Sequence, residues 1–320
     1  MALERLFRPK SIAVMGGAWA REVIRRHRSL GFTGAVWAVH PTKPEIEGVK
    51  AYPDLAALPD PPDATFIGVN REATIEVAAT LARMGAGGAV SFASGFAEVG
   101  TEGTALQAAL KRAAGDMPVL GPNCYGFINA LDGAVLWPDT HGCRRLDTGV
   151  AIIAQSSNVA LNLTMGRRAV PVAYVVCLGN QAVVGMPEVI EAITADPRVT
   201  AIGLHIEGIK APEPFVTAIV GARAAGKPVI ALRAGHSQAA QALTLTHTAS
   251  MTGGAQVART FLARHGVAEV ESVTAFLETL KLLHARKVGG FRPGRRGFAS
   301  MSCSGGEASL VADAAARAGV

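Results

Sequence analysis

Apolar residues in this chain come in short blocks, separated by stretches where they recur every three to four positions. The first block, 11–17 (SIAVMGG), closes on two glycines, the form of a buried parallel strand entering a tight turn. Similar blocks stand at 35–39 (AVWAV), 63–69 (DATFIGV), 87–93 (GGAVSFA) and 117–121 (MPVLG). Between them, ATIEVAATLARMG and GTALQAALKRAAG have helical spacing. Strands alternating with helices predict a parallel, doubly wound α/β sheet, with its ligand site beyond the carboxyl ends of the strands.

Residues 129–148 break this rhythm and read as a connection between domains. A second α/β series follows. GVAIIAQSSN is a strand running into a polar turn, VALNLTMGRRA is helical, and VAYVVCL, VTAIGLHIE and PVIALR are further strands. AQVARTFLARHG and VTAFLETLKLLHAR have the spacing of amphipathic helices. The final stretch, 297–320, reads as one strand, a Ser/Gly turn and one helix. A single unit of that kind cannot bury both faces of its strand. It is expected to be the truncated opening of a further subdomain, with Phe298, Met301, Leu310 and Val311 exposed.

Composition changes this picture little. The 320 residues are 49% hydrophobic, with 36 glycines and only 5% aromatics, which suits two α/β domains rich in turns. No apolar run reaches the ~18 residues of a membrane span, and MALERLFRPKS is no signal peptide. The four cysteines have no metal-ligand spacing, so reduced thiols in a cytoplasmic protein are expected and no metal site. The net charge of +6 is scattered, without a helix-turn-helix, zinc-finger or aromatic platform. A basic face suited to a polyanionic small molecule is the better reading than nucleic acid.

The chemistry concentrates at 233–254, RAGHSQAAQALTLTHTASMTGG. His247 stands there among small polar residues ahead of a helical segment. Helix N-termini offer unpaired N–H groups and partial positive charge, so such a place can hold an anion. His247 reads either as an exposed loop histidine or as a nucleophilic imidazole carrying a phosphoryl group. The first βα turn, GGAWAR, lacks the full GxGxxG of an NAD site. Lys43, in HPTK, stands where NAD enzymes place an acid. Lys43 suits a phosphate, or is a solvated surface lysine.

LFRPKSIAVMGG, HPTK, GVKAYPDL, ASGFAEVG and GPNCYGFIN, in that order, resemble the CoA-binding domain of NDP-forming acyl-CoA synthetases. That family is similar to the α subunit of succinyl-CoA synthetase. The resemblance implies a Rossmann-like CoA-binding domain at 1–130 and a flavodoxin-like ligase domain at 145–290, followed by the start of a second ligase subdomain at 296–320. It implies CoA contacts at Gly16, Gly17, Ala18, Trp19, Lys43, Val69, Asn70, Ala93, Ser94, Gly95 and Asn123. In the second domain, the family pattern S-H-T-G matches Thr246-His247-Thr248-Ala249 and implies a phosphorylated His247. The pattern S-Q-S-G matches Ala154-Gln155-Ser156-Ser157. Gln155, Ser156, Ser157, Asn158, Asn180 and Thr248 would then form the acyl-phosphate loops. Glu207 would orient the imidazole by fixing its tautomer.

The implied reaction interconverts acyl-CoA, NDP and phosphate with a carboxylic acid, CoA and NTP, through an acyl phosphate and a phosphohistidine. The nucleotide, ATP or ADP with its Mg²⁺, would bind an ATP-grasp domain or β subunit outside this chain, and an oligomer is expected. The chain departs from the family at Ser157, Val183, Gln238 and Ala249. Two other readings stay open: a CoA-binding regulatory module that has lost its chemistry, and the CoA-synthetase-like part of a protein lysine acyltransferase.

Overall fold

A short helix, α1 (Glu4–Phe7), leads into β1 (Ser11–Gly16), which lies at the middle of the first of two seven-stranded sheets. The computed structural model describes residues 3–234, 255–289 and 299–318. After β1 come α2 (Ala18–Ser29), β2 (Ala35–Val39), β3 (Glu45–Ile46), β4 (Val49–Tyr52) and β5 (Ala64–Gly68). Then follow α3 (Arg71–Met84), β6 (Ala89–Ser91), α4 (Thr101–Ala114) and β7 (Val119–Leu120). The sheet order is β3-β4-β2-β1-β5-β6-β7, and every ladder is parallel except β3–β4. Ile12 and Val14 of β1 are buried, and α2 covers the sheet with Ala20, Val23, Ile24 and His27, spaced three and four apart.

β1 pairs with β2 on one side and β5 on the other, so the chain reverses direction across the sheet at the ends of β1 and β5. Such a switch point opens a crevice. Gly16 is left-handed there (φ 133°), and a Cβ on it would lie 2.4 Å from the Gly68 carbonyl oxygen. Its lack of a side chain is therefore a packing requirement between two strands.

The second sheet uses β8 (Phe127–Asn129), β9 (Ala134–Leu136), β10 (Gly149–Ala154), β11 (Val172–Cys177), β12 (Val199–Ile206), β13 (Val229–Arg233) and β14 (Ala268–Val270). Its helices are α5 (Ser157–Met165), α6 (Met186–Ala195), α7 (Pro212–Ala224), α8 (Ala255–Arg264) and α9 (Val273–Val288). The order is β14-β13-β12-β10-β11-β8-β9, again with the switch beside the strand that opens the parallel series. All eight residues of β12 are buried, the signature of a central parallel strand covered on both faces.

The stretch read as a connection departs from expectation. β8 and β9 form an antiparallel hairpin on the edge of the second sheet, and Asn129 to Leu131 and Gly133 to Trp137 are buried. Strands of three residues are too short to show an alternating pattern. Tertiary contacts fix them instead: Asn129 Nδ2 donates to the Phe7 carbonyl at 2.9 Å, and the Phe7 and Phe127 rings meet edge-on at 5.2 Å.

Both sheets belong to one unit, Met1–His284; the other unit is Ala285–Val320. The second unit contains α10 (Gly305–Ala318), whose start is capped reciprocally. Ser304 Oγ accepts from the Glu307 N–H, and the Glu307 carboxylate accepts from the Cys303 N–H. Residues 299–304 form no strand, contrary to expectation, and no neighbouring strand offers a ladder within that unit's described residues. Met301 and Leu310 are exposed, Val311 is half-buried, and Phe298 lies outside the described residues. Among the described residues, no helix is long and apolar enough to cross a membrane.

Candidate active site

The carboxyl ends of both sheets open onto a single cleft of about 800 Å³. The first sheet contributes the turn after β5 (68–72), the turn after β6 (92–94) and Trp19 at the start of α2. The second sheet contributes 155–158 after β10, 179–181 after β11, and Glu207 and Lys210 after β12. Residues 123–125, on the segment passing from one sheet to the other, form the floor between them.

Trp19, Val69, Asn70, Ala93, Ser94, Asn123, Gln155, Ser156, Ser157, Asn158, Asn180 and Glu207 all line this cleft. Gly16, Gly17, Ala18, Lys43 and Gly95 do not line it. Gly16 serves the β1–β5 approach described above. Gly17 precedes α2, and a Cβ there would meet nothing within 4 Å. Lys43 is exposed on the loop after β2, where its backbone N–H donates to His40 Nδ1 at 3.2 Å. Gly95 is left-handed (φ 94°) and donates its N–H to Glu98 Oε1 at 2.6 Å. His247 and Thr248 lie outside the described residues, as do Gln238 and Ala249.

Several lining residues have structural duties that fix their positions. Asn70 caps α3, its Oδ1 accepting from the Ala73 N–H at 2.8 Å. Ser156 caps α5 by accepting from Val159 N–H at 3.3 Å, and Ser157 Oγ accepts from the Tyr125 N–H at 3.1 Å. The first-turn N–H groups of Ser157 and Asn158 have no carbonyl within the helix to bond. They therefore bring the positive end of the α5 dipole to the cleft.

Gln155 is buried and joins two strands: its Nε2 donates to the Gly208 carbonyl at 2.7 Å, while its Oε1 accepts from the N–H groups of Glu207 and Gly208. Asn180 crosses between the sheets. Its Nδ2 donates to the Glu98 carboxylate and to Gln107 Oε1, and its backbone carbonyl accepts from Lys210 Nζ at 2.8 Å.

Sequence reasoning missed Arg71, Phe92, Glu98, Tyr125 and Lys210 as lining residues. Glu98 and Tyr125 sit inside ASGFAEVG and GPNCYGFIN, and Lys210 follows Glu207 by three, so proximity to motif residues was the available signal. Arg71 is heavily engaged, with Glu72 and Glu102 each at 2.7 Å and the Gly95 carbonyl at 3.0 Å. Val183 lies in an adjoining smaller pocket, beside Lys111, Gln181 and Phe215.

The electrostatics sort the remaining candidates. Burial pushes the Cys124 thiol up to about 12 and raises Cys177 well above its usual range, so neither is a ready thiolate. Burial lowers the Lys210 ammonium from its ordinary value and pushes His205 down to about 4. Lys210 thus stands at the cleft as a cation tuned by its surroundings, and His205 is a neutral imidazole of the core. Among the described residues, no group of three or more His, Cys, Asp or Glu side chains gathers as metal ligands.

The comparisons agree with this division. Residues 10–130 match a CoA binding domain, and residues 147–283 match a succinyl-CoA ligase like flavodoxin domain. The chain is 32% identical over 277 residues to a trans-feruloyl-CoA synthase from an unknown prokaryotic organism, covering 83% of this chain and 39% of that protein. It is 30% identical over 329 residues to the ADP-forming acetate–CoA ligase I of Archaeoglobus fulgidus, covering 99% of this chain and 46% of that one. A dinucleotide-forming acetyl-coenzyme A synthetase 1 of Ca. Korarchaeum cryptofilum, solved with phosphate and ADP, superposes with a TM-score of 0.86 at 27% identity. That match covers 100% of this chain and 69% of the other. The chain thus spans under half the length of these two curated relatives. It belongs to the ADP-forming acyl-CoA synthetase family, of which it carries the Rossmann-like CoA-binding domain and the flavodoxin-like ligase domain.

Proposed function

We propose that this chain supplies the acyl-CoA and phosphoryl-carrying part of an acid–CoA ligase. The observation that carries the reading is the single cleft. Loops of the CoA-binding sheet and the α5 turn with Glu207 line the same space, so a thioester and a phosphate can meet there. The lining suits CoA and phosphate: backbone N–H donors at the start of α5, the Lys210 cation, and amides from Asn123 and Asn180. Val69, Asn70, Ala93, Ser94 and Trp19 would flank CoA, with Gly17 leaving the start of α2 open to a phosphate and Lys43 nearby as a further cation. Gly16, Ala18 and Gly95 would shape these turns through their backbones.

In the direction of NTP synthesis, a phosphate oxygen attacks the thioester carbonyl. The C–S bond breaks and CoA leaves as thiolate, giving an acyl phosphate. The N–H groups of Ser157 and Asn158 and the Lys210 ammonium stabilise the charge that develops on oxygen. His247 then attacks phosphorus, the acyl-oxygen to phosphorus bond breaks, and the carboxylate leaves. Glu207 holds the other ring nitrogen, with Thr248 beside it, and Gln155 fixes the backbone that carries Glu207. The phosphohistidine finally passes its phosphoryl group to a nucleoside diphosphate. That nucleotide and its Mg²⁺ would belong to an ATP-grasp domain or partner subunit. Relatives are named for acetate and trans-ferulate, so the family's chemistry accommodates more than one acid.

Labelling with γ-labelled ATP in the presence of the nucleotide-binding partner tests this directly. The wild type should gain an acid-labile, alkali-stable label, His247→Asn should gain none, and Glu207→Gln should gain it slowly. Full labelling of the asparagine variant would remove the phosphohistidine from the scheme.

A further inference from the structure

Three aromatic side chains form a row along one wall of the cleft. The Trp19 and Phe92 rings stand 5.2 Å apart and the Phe92 and Tyr125 rings 6.0 Å apart, and all three residues line the space. Two fully buried rings back this row: Phe66 lies 5.7 Å from Phe92, and Trp137 meets Tyr125 edge-on at 5.2 Å. The inner rings belong to the core, while Trp19 remains 47% exposed and Phe92 and Tyr125 are only half-buried. Exposed aromatic surface held rigidly in a concave site marks a place for an apolar, planar ligand group.

The row begins at the reacting end of the cleft. The Tyr125 backbone N–H donates to Ser157 Oγ at 3.1 Å, and both residues line the cleft, so Tyr125 stands beside the turn assigned above to the acyl phosphate. An acetyl group would extend only one carbon beyond the carbonyl and would leave these surfaces wet. A flat ring conjugated to the carboxyl carbon would cover Tyr125 and Phe92 by offset or edge contacts.

We propose that Phe92 and Tyr125 are specificity residues of an acyl subsite and that the acid handled here is an aromatic carboxylic acid. The inference rests on the reading of the cleft as an acyl-CoA site. The adenine of CoA is also a flat ring, so the test must separate the two sources.

Calorimetry on the full chain with CoA, acetyl-CoA and cinnamoyl-CoA does so. The wild type should bind cinnamoyl-CoA about tenfold more tightly than acetyl-CoA. The double variant Phe92→Leu/Tyr125→Leu keeps apolar volume but removes both rings. It should bind the two thioesters within about twofold of each other, with CoA affinity unchanged. Tyr125→Phe, which retains the ring, should keep the preference, and thermal melts should show all variants folded. If the wild type binds CoA but shows no preference for cinnamoyl-CoA, the aromatic assignment is wrong while the function stands. Equal losses for all three ligands in the leucine variant would assign the row to CoA itself and overturn the inference. A wild type that binds none of them would overturn the reading of the cleft and this inference with it.

Discussion

Gln155 holds the backbone of Glu207 in place. Its Oε1 accepts from the N–H groups of Glu207 and of Gly208, the latter at 3.0 Å, and its Nε2 donates to the Gly208 carbonyl at 2.7 Å. The carboxyl ends of neighbouring strands β10 and β12 are thereby tied together without use of the Glu207 carboxylate.

Replacing Gln155 by Met would keep the volume and leave three backbone groups without their partner. A buried group left unpaired costs roughly 1–3 kcal/mol, and partial relaxation should hold the total near ~3 kcal/mol. Urea denaturation should show that loss, with ligase turnover reduced as Glu207 loses its fixed position. A stability change below about 0.5 kcal/mol would mean the bonds are dispensable.

Arg198 grips Asp132 with two bonds, at 2.7 and 2.8 Å, and also reaches Asp196, which accepts from the Tyr174 hydroxyl at 3.0 Å. This pairing pins the β8–β9 hairpin to the start of β12. The Arg198 guanidinium holds the Asp132 carboxyl well below the usual carboxylate range. A carboxyl depressed in the fold contributes stability above its unfolded pKa, near 3.9, and loses it as pH falls further. Partial exposure weakens the pair, so Arg198→Met should cost about 2–3 kcal/mol at neutral pH. The variant should also show a shallower loss of stability below about pH 4 than the wild type.

His27 and His205 are both pushed down to about 4 by burial. His141 is lowered to about 4 as well, first by burial and then by Arg26. The unfolded chain takes up protons near 6.5, before the folded one does. Stability from these neutral imidazoles is therefore complete above about pH 6.5 and declines as pH falls toward 4. His27 Nδ1 accepts from the Val135 N–H at 3.4 Å, a bond that a glutamine oxygen can replace. In chemical unfolding measured at stepped pH, His27→Gln should flatten this decline by roughly a third. An unchanged slope would show that His27 does not contribute.

Much of this arrangement was legible because buried parallel strands print continuous apolar runs, as β10 and β12 do. The β8–β9 hairpin was not legible, since three-residue strands carry no period and owe their burial to Phe7 and Arg198. The site loops showed themselves by motif, but the partnerships across the cleft did not. Glu98 meets Asn180 across 82 positions of sequence, and nothing local marks that pair. Gly16 carries a duty its motif does not print: the φ of 133° and the approach of Gly68 require glycine there for packing.

The most direct test of the account is whether CoA occupies the cleft where the two sheets meet. Ser94 lines that cleft and is exposed, so Ser94→Trp fills it without disturbing the core. Titration calorimetry should show the wild type binding CoA more tightly than NAD, with CoA binding lost in Ser94→Trp while the melting temperature is kept. Tighter binding of NAD, or CoA binding unchanged by the tryptophan, would contradict it.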